Sequence, residues 1–128
     1  MRLSSLLTKV AVRVVIGASL VLIMGATPAP RFPKELQGTW DLGPSSCKLP
    51  VNADSDTPIR IEAGRLAGYE NIDSPKRITR VSKKPSVWVI SSESNIAPGM
   101  VQDEVFVLVD DYLTITTGET ARSYRRCR

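Results

Sequence analysis

The sequence contains no histidine among its 128 residues. Histidine is the base of Ser-His-Asp and Cys-His relays, a common metal ligand, and the side chain whose ordinary pKa lies nearest neutral pH. Its absence excludes all three uses, and two cysteines cannot complete a closed zinc site. We therefore predict a protein that is not an enzyme and has no cofactor, no metal and no catalytic residue. Any chemistry would have to use carboxylates, lysine or tyrosine.

Acidic residues are absent from the first 34 positions, where Arg2, Lys9 and Arg13 form a basic start. An uncharged stretch follows over residues 14–30 and ends in small residues. A basic head, an apolar run of about 11 residues and a small-residue exit are typical of an export signal. We therefore expect a helical signal peptide at residues 1–26 and a periplasmic or secreted protein.

The same segment leaves a second possibility open, an uncleaved single-span anchor. The uncharged gap between Arg13 and Arg31 is shorter than the roughly 20 apolar residues that a transmembrane helix needs. This length favours cleavage near Ala26. The anchor stays open because Met24 occupies a position where signal cleavage sites carry a small residue. Contact with a membrane is expected only through this segment, if it is retained.

A strong excess of charge is absent once residues 1–26 are set aside. The remaining chain has 14 basic and 13 acidic residues, a net charge of +1. A nucleic-acid-binding domain carries a basic stripe and a strongly basic balance, so no nucleic-acid partner is expected. By length, the remainder is one small domain. We place an extended N-terminal segment at 27–36 and a single β-domain at 37–128.

Only two cysteines occur, Cys47 and Cys127, and they bracket most of that domain. An even cysteine count in an exported chain favours a disulfide. Closing a loop of this length is worth up to about 4–5 kcal/mol in the chain-entropy model. The alternative, a reactive pair or a metal site, lacks the close spacing that such sites use.

Long amphipathic helices and repeats are also lacking. Short β-prone runs alternate with turn residues at nearly regular intervals, which is typical of an all-β barrel or sandwich. Eight such runs predict an antiparallel barrel, with residues 73–75 as a break between the third and fourth. Ile78 and Val81 fall on opposite parities, which indicates a bulge. The runs are 37–43, 59–62, 66–72, 77–82, 87–91, 105–109, 112–117 and 120–127.

Apolar residues in these runs are the candidates for lining a ligand cavity at the mouth of the barrel. A strand points successive side chains to opposite faces, so residues of one parity can face the interior together. The candidates for this lining are Ile59, Ile61, Val87, Val89, Leu113 and Ile115.

Gly38-Thr39-Trp40 opens the first predicted strand as a G-x-W motif. This start resembles the opening signature of the lipocalins and their calycin relatives. The resemblance implies that Trp40 plugs one end of an eight-stranded barrel and that an arginine of the last strand packs across it. The available arginines are Arg122, Arg125 and Arg126.

The layout also resembles a set of uncharacterised periplasmic bacterial proteins. They share an early G-x-W, a cysteine a few residues later and a Y-x-R-C ending, which here is residues 124–127. A second resemblance is to periplasmic inhibitors of secreted metalloproteases, small barrels with a signal peptide and one disulfide. Their cysteines are closer in sequence, so they provide the alternative rather than the main interpretation.

We therefore expect a non-enzymatic envelope barrel that binds a small apolar ligand or an envelope protein. A filled barrel with an ordered, protruding segment at residues 27–32 would favour protease inhibition. A carboxylate hydrolase is the third possibility, since Asp103-Glu104 and Asp110-Asp111 are the only paired acids. Neighbouring strand residues point to opposite faces, and Asp-Asp is common in turns. Two acids converging in a cleft, one with a raised pKa, would support that third possibility.

Overall fold

A computed structural model describes residues 24–128, so most of the expected signal helix lies outside the described residues. Eight antiparallel strands follow one another around a closed barrel, and the last pairs with the first. The predicted eight-stranded antiparallel barrel is confirmed. Within residues 24–128 no helix is long and apolar enough to span a membrane. The strands are β1 Gly38–Leu42, β2 Ile59–Ile61, β3 Leu66–Ala67, β4 Ile72–Lys83, β5 Ser86–Ser94, β6 Val101–Val109, β7 Tyr112–Thr116 and β8 Ala121–Arg126.

The third and fourth strands differ from the expectation. The break expected at residues 73–75 is wrong, because β4 runs through it without interruption. The pairing with β5 shifts between Pro75 and Arg77, and proline is tolerated where a strand bulges because the ladder hydrogen bonds are already interrupted there. A second shift lies between Arg80 and Ser82, where the mixed parity of the sequence indicates a bulge.

The interior of the barrel is filled over most of its length. Apolar side chains from nearly every strand alternate with outward polar ones, so that each strand contributes one face to a single core. Large rings and aliphatic side chains pack against one another throughout this part. The largest fully buried side chains are Trp40, Phe106, Leu36, Ile61, Ile90 and Leu113.

The extended N-terminal segment closes one end of the barrel. The backbone N–H of Phe32 donates to the carbonyl of Ala63 at 2.8 Å, and the ring of Phe32 lies 6.1 Å from that of Phe106. A short 3₁₀ turn, Lys34–Leu36, then buries Leu36 completely. These contacts fix Phe32 and Leu36 at this end of the barrel. Residues 24–29, which precede them, are exposed to solvent.

The Cys47–Cys127 disulfide is formed. It fastens the long β1–β2 connection to the end of β8, with two backbone hydrogen bonds beside it. The N–H of Arg128 donates to the carbonyl of Cys47, and the N–H of Leu49 donates to that of Arg128. A disulfide is typical of proteins in oxidising compartments.

Candidate binding site

The two ends of the barrel are built from different connections. Three tight hairpins, at residues 62–65, 84–85 and 110–111, meet the N-terminal segment at the end plugged by Phe32 and Leu36, here the closed end. The connections 68–71, 95–100 and 117–120 surround the other, open end, together with the two ends of the long connection 43–58, whose middle reaches Cys127. Longer and more irregular loops therefore gather where the barrel is not plugged.

At the closed end Trp40 is fully buried, and its indole N–H donates to the carbonyl of Leu36 at 2.9 Å. The guanidinium of Arg126 lies 4.1 Å from the centre of the Trp40 ring. It donates to the carbonyls of Gln37 and Glu35 at 2.9 and 2.6 Å. Burial lowers the pKa of Arg126 from its ordinary value. Arg126 is therefore the last-strand arginine that packs across Trp40.

The other two candidate arginines lie elsewhere. Arg125 points outward, 4.6 Å from the centre of the Tyr112 ring, and donates to the carbonyl of Pro44. Arg122 lies at the open end. Gly38 has φ of +140°, and a β-carbon there would lie 3.0 Å from Nη1 of Arg126. The glycine of the motif thus makes room for the arginine that covers the tryptophan.

The open end holds a cavity of about 340 Å³, here called the cup. Its floor is apolar where it meets the core, and its wall is polar. This volume lies within the usual range of small-molecule sites. The cup is lined by Ile59, Leu66, Asn71, Asp73, Ser94, Ile96, Ala97, Gln102, Glu104, Ile115, Thr117, Thr120, Arg122 and Tyr124.

Three ionisable groups shape the electrostatics of the cup. Burial raises the pKa of Glu104 above its ordinary value, the nearby carboxylate of Asp73 raises it further, and Arg122 opposes both. Burial also raises the pKa of Tyr124, against the effect of a hydrogen bond with Arg122. The wall therefore offers an acidic pair, a guanidinium and a phenol to whatever occupies the cavity.

One further polar group faces the cup without a partner. The hydroxyl oxygen of Ser94 is buried and makes no hydrogen bond within the described residues. A buried hydroxyl without a partner costs free energy of folding. Its position among Gln102, Asp73 and Glu104 leaves it available to a bound molecule.

The candidate lining residues divide into three groups. Ile59 and Ile115 line the cup. Ile61 and Leu113 are buried in the filled core rather than in an open space. Val87 and Val89 lie half-buried on the outer face of β5, because the alternating Trp88 and Ile90 occupy the interior. The last two residues therefore do not line the barrel.

Exposed apolar side chains ring the open end. Tyr69 and Met100 are each 71% exposed and Ile96 is 68% exposed, all on the loops that surround the cup. Leu42 and Val101 add smaller exposed surfaces. A polar cavity inside an apolar rim fits a molecule with both kinds of surface.

The paired acids of the sequence do not act as pairs. Asp103 faces outward and accepts a hydrogen bond from the hydroxyl of Ser91, whereas Glu104 faces the cup. Asp110 and Asp111 form the β6–β7 turn, where Asp110 has φ of +51°. A hydrogen bond from Arg128 lowers the pKa of Asp111. In the described part of the chain no group of three or more potential ligands is arranged to hold a metal ion.

Charge is separated between the two ends. Eleven basic and four acidic side chains lie in the closed half, and three basic and nine acidic in the open half, so the halves carry net charges of +7 and −6. The closed half holds Arg31, Lys34, Lys48, Arg60, Arg65, Arg80, Lys83, Lys84, Arg125, Arg126 and Arg128, with Glu35, Glu62, Asp110 and Asp111. The open half holds Lys76, Arg77 and Arg122, with Asp41, Asp54, Asp56, Glu70, Asp73, Glu93, Asp103, Glu104 and Glu119.

No protein-family model matches the chain, and neither a curated protein nor a solved structure matches it.

Proposed function

We propose that this chain is an exported, non-enzymatic binding protein of the cell envelope that takes a small amphipathic ligand at the open end of its barrel. The basic start and apolar run of residues 1–26 support export, as does the disulfide. The filled core excludes a deep apolar cavity, so the ligand's polar head occupies the cup and its apolar part lies on the exposed rim.

The observation that carries this proposal is the set of charged and polar groups in the cup that no ion pair joins. Glu104 and Arg122 both line the cup, yet no ion pair joins them among residues 24–128. The partly buried Glu104 carboxylate and the unpartnered Ser94 hydroxyl destabilise the fold. Groups that stability does not require, converging on one cavity, are best explained by a ligand.

The test uses two fluorescent probes of equal chain length, a long-chain carboxylate and a long-chain alkylamine. The protein is purified in the form that expressing cells export. We expect at least one probe to bind, and Arg122→Gln or Glu104→Gln to change its affinity by about tenfold, the cost of one charged hydrogen bond. Arg125→Gln and Glu93→Gln remove the same charges outside the cup and serve as matched controls.

The result that contradicts the proposal is equally specific. If neither probe binds, or if the control variants weaken binding as much as the cup variants, the cup is not the ligand site. Native mass spectrometry of the exported protein provides an independent readout, because a retained small molecule would disappear in the two cup variants alone.

A carboxylate hydrolase is a second candidate, since the structure brings Asp73 and Glu104 into one cavity and raises the pKa of Glu104. A raised pKa suits a general acid. This pair, Asp73 and Glu104, is neither of the two adjacent acidic pairs that the sequence suggested. Nitrophenyl glycosides test this candidate: hydrolysis that Glu104→Gln abolishes while probe binding persists would establish it over pure binding.

Protease inhibition is a third candidate. It is favoured by the packed core near the closed end of the barrel and by the exposed residues 24–29 that precede the anchored Phe32. Its active element would be the N-terminal segment rather than the cup. Replacing residues 27–30 by glycine and serine would abolish inhibition of a secreted metalloprotease and leave probe binding unchanged. The opposite pattern would exclude this candidate.

A further inference from the structure

The closed end carries basic side chains that no acid neutralises. Lys83 and Lys84 stand at the tip of the β4–β5 hairpin, exposed and without an ion pair among the described residues. Arg31 and Lys34 are exposed beside them on the N-terminal segment. The result is a positive surface at the tip of the barrel rather than a stripe along its side.

Three of the four acids of this end, Glu35 among them, pair with arginines, and Asp110 makes no ion pair among the described residues. Glu62 pairs with Arg60 and Arg65, at 3.3 and 2.6 Å. Asp111 pairs with Arg126 and Arg128 at 3.5 and 2.6 Å. Because each of these acids already neutralises arginines of its own, the free lysines set the potential that an approaching surface meets.

Apolar side chains stand exposed between these charges. Val81 is 57% exposed and Val109 is 50% exposed, on the two hairpins that project from the closed end. Tyr112 is 45% exposed on the second hairpin. Tyrosine and basic residues together favour the interface between a bilayer and water.

The direction of the chain puts this end nearest to the predicted export segment. Phe32 is anchored at the closed end, and the apolar run of the sequence precedes it by only a few residues. Residues 24–31 can span at most about 29 Å when extended. The closed end is therefore the part of the barrel nearest the predicted export segment.

From these observations we infer that the closed end docks on an anionic phospholipid surface, with the acidic open end and its cup turned away from it. Charge complementarity gives the orientation, since a net charge of +7 faces the lipid and −6 is repelled from it. The docking uses other residues than the cup and is independent of the proposed ligand.

The test measures flotation of the exported protein, whose N-terminus is determined by intact mass, with two kinds of vesicle. One is phosphatidylcholine alone and the other includes about one third phosphatidylglycerol. We expect binding to the anionic vesicles that is lost at about 0.5 M salt. Lys83→Gln with Lys84→Gln lowers the partition coefficient roughly 25-fold, about fivefold for each lysine.

A matched control lies on the same strand. Lys76→Gln with Arg77→Gln also removes two positive charges from β4, but near the open end, where both pair with acids. We expect this variant to bind within about twofold of the natural protein, because its charges lie beyond a Debye length from the docked surface. An equal loss in both variants would show that net charge alone drives binding and would overturn the inference.

Hydrogen exchange on vesicles tests the orientation of the barrel. If residues 1–26 are retained and insert into both kinds of vesicle, flotation no longer distinguishes docking of the closed end, and hydrogen exchange becomes the deciding measurement. We expect protection of the hairpins at 83–86 and 109–112 and none at the loops 68–71 and 95–100. Protection of the open-end loops would overturn the inference. Binding to heparin at salt concentrations that release the vesicles would also overturn it, in favour of a soluble anionic polymer.

Discussion

Replacing Arg126 by methionine tests how much the closed-end plug stabilises the barrel. Methionine keeps an unbranched apolar stem over Trp40 but removes the cation and both hydrogen bonds to backbone carbonyls. Hydrogen bonds from a charged donor contribute about 1.5–3 kcal/mol each, and a cation over an aromatic ring about 0.5–2. The Arg126 side chain is 20% exposed, so we take the lower end of both ranges. The expected loss is about 3.5 kcal/mol of unfolding free energy.

Urea denaturation of the disulfide-bonded protein, followed by tryptophan fluorescence and circular dichroism, measures this loss. A domain of this size has a slope of about 1.5 kcal/mol per M urea, so the midpoint should fall by about 2 M. The two probes should give coincident transitions, which is the condition for converting midpoints into free energies.

Arg125→Met is the matched control, because Arg125 precedes Arg126 on the same strand and also covers an aromatic ring and donates to a carbonyl. Its contacts are exposed to solvent, which weakens them, and we expect a loss below about 1 kcal/mol. If the two variants lost equal stability, or if Arg126→Met lost less than about 1 kcal/mol, burial would not be the reason that Arg126 matters.

Three further changes address other parts of the fold. Replacing Cys47 and Cys127 by serine should lower the unfolding free energy by about 4 kcal/mol, seen as a matching shift when the natural protein is denatured with and without reductant. Phe32→Ala should cost about 3 kcal/mol in urea denaturation, because it opens a cavity at the closed end. Glu104→Gln acts through pH: the folded-state pKa is raised, so Glu104 lowers stability as pH rises above about 4.5. Thermal melts should show no difference at pH 4 and a variant more stable than the natural protein at pH 7. A variant less stable at pH 7 would refute the assigned environment of Glu104.

The strand count could be predicted because turn residues interrupt the β-prone runs at regular intervals. The exception is the region around Pro75, where a serine and a proline predict a break between two strands. The structure has both residues inside one continuous strand. A proline at a shift of the pairing register costs little, because the ladder hydrogen bonds are already interrupted there. Whether a proline ends a strand or lies in a bulge depends on the partner strand, which local sequence does not reveal.

The cup could be predicted only in part. Val87, Trp88, Val89 and Ile90 are apolar on both parities, so the pattern alone did not select the interior face. The volume of the tryptophan decides it, because the core must accommodate its ring. Asp73 was missed for another reason: β4 and β6 flank β5, and the curvature of the closed barrel brings Asp73 near Glu104, which no spacing within either strand signals.

The two ends of this barrel follow different physical rules. At the closed end the polar groups around the plug are paired: the Trp40 indole, the Arg126 guanidinium and the Asp111 carboxylate all have partners. At the open end Glu104 is partly buried beside a second acid, and the Ser94 hydroxyl has no partner. Groups that only stabilise a fold are normally paired, whereas groups that bind something remain free until it arrives. The open end, whose unpaired polar groups lower the stability of the fold, is therefore the better candidate for the functional site.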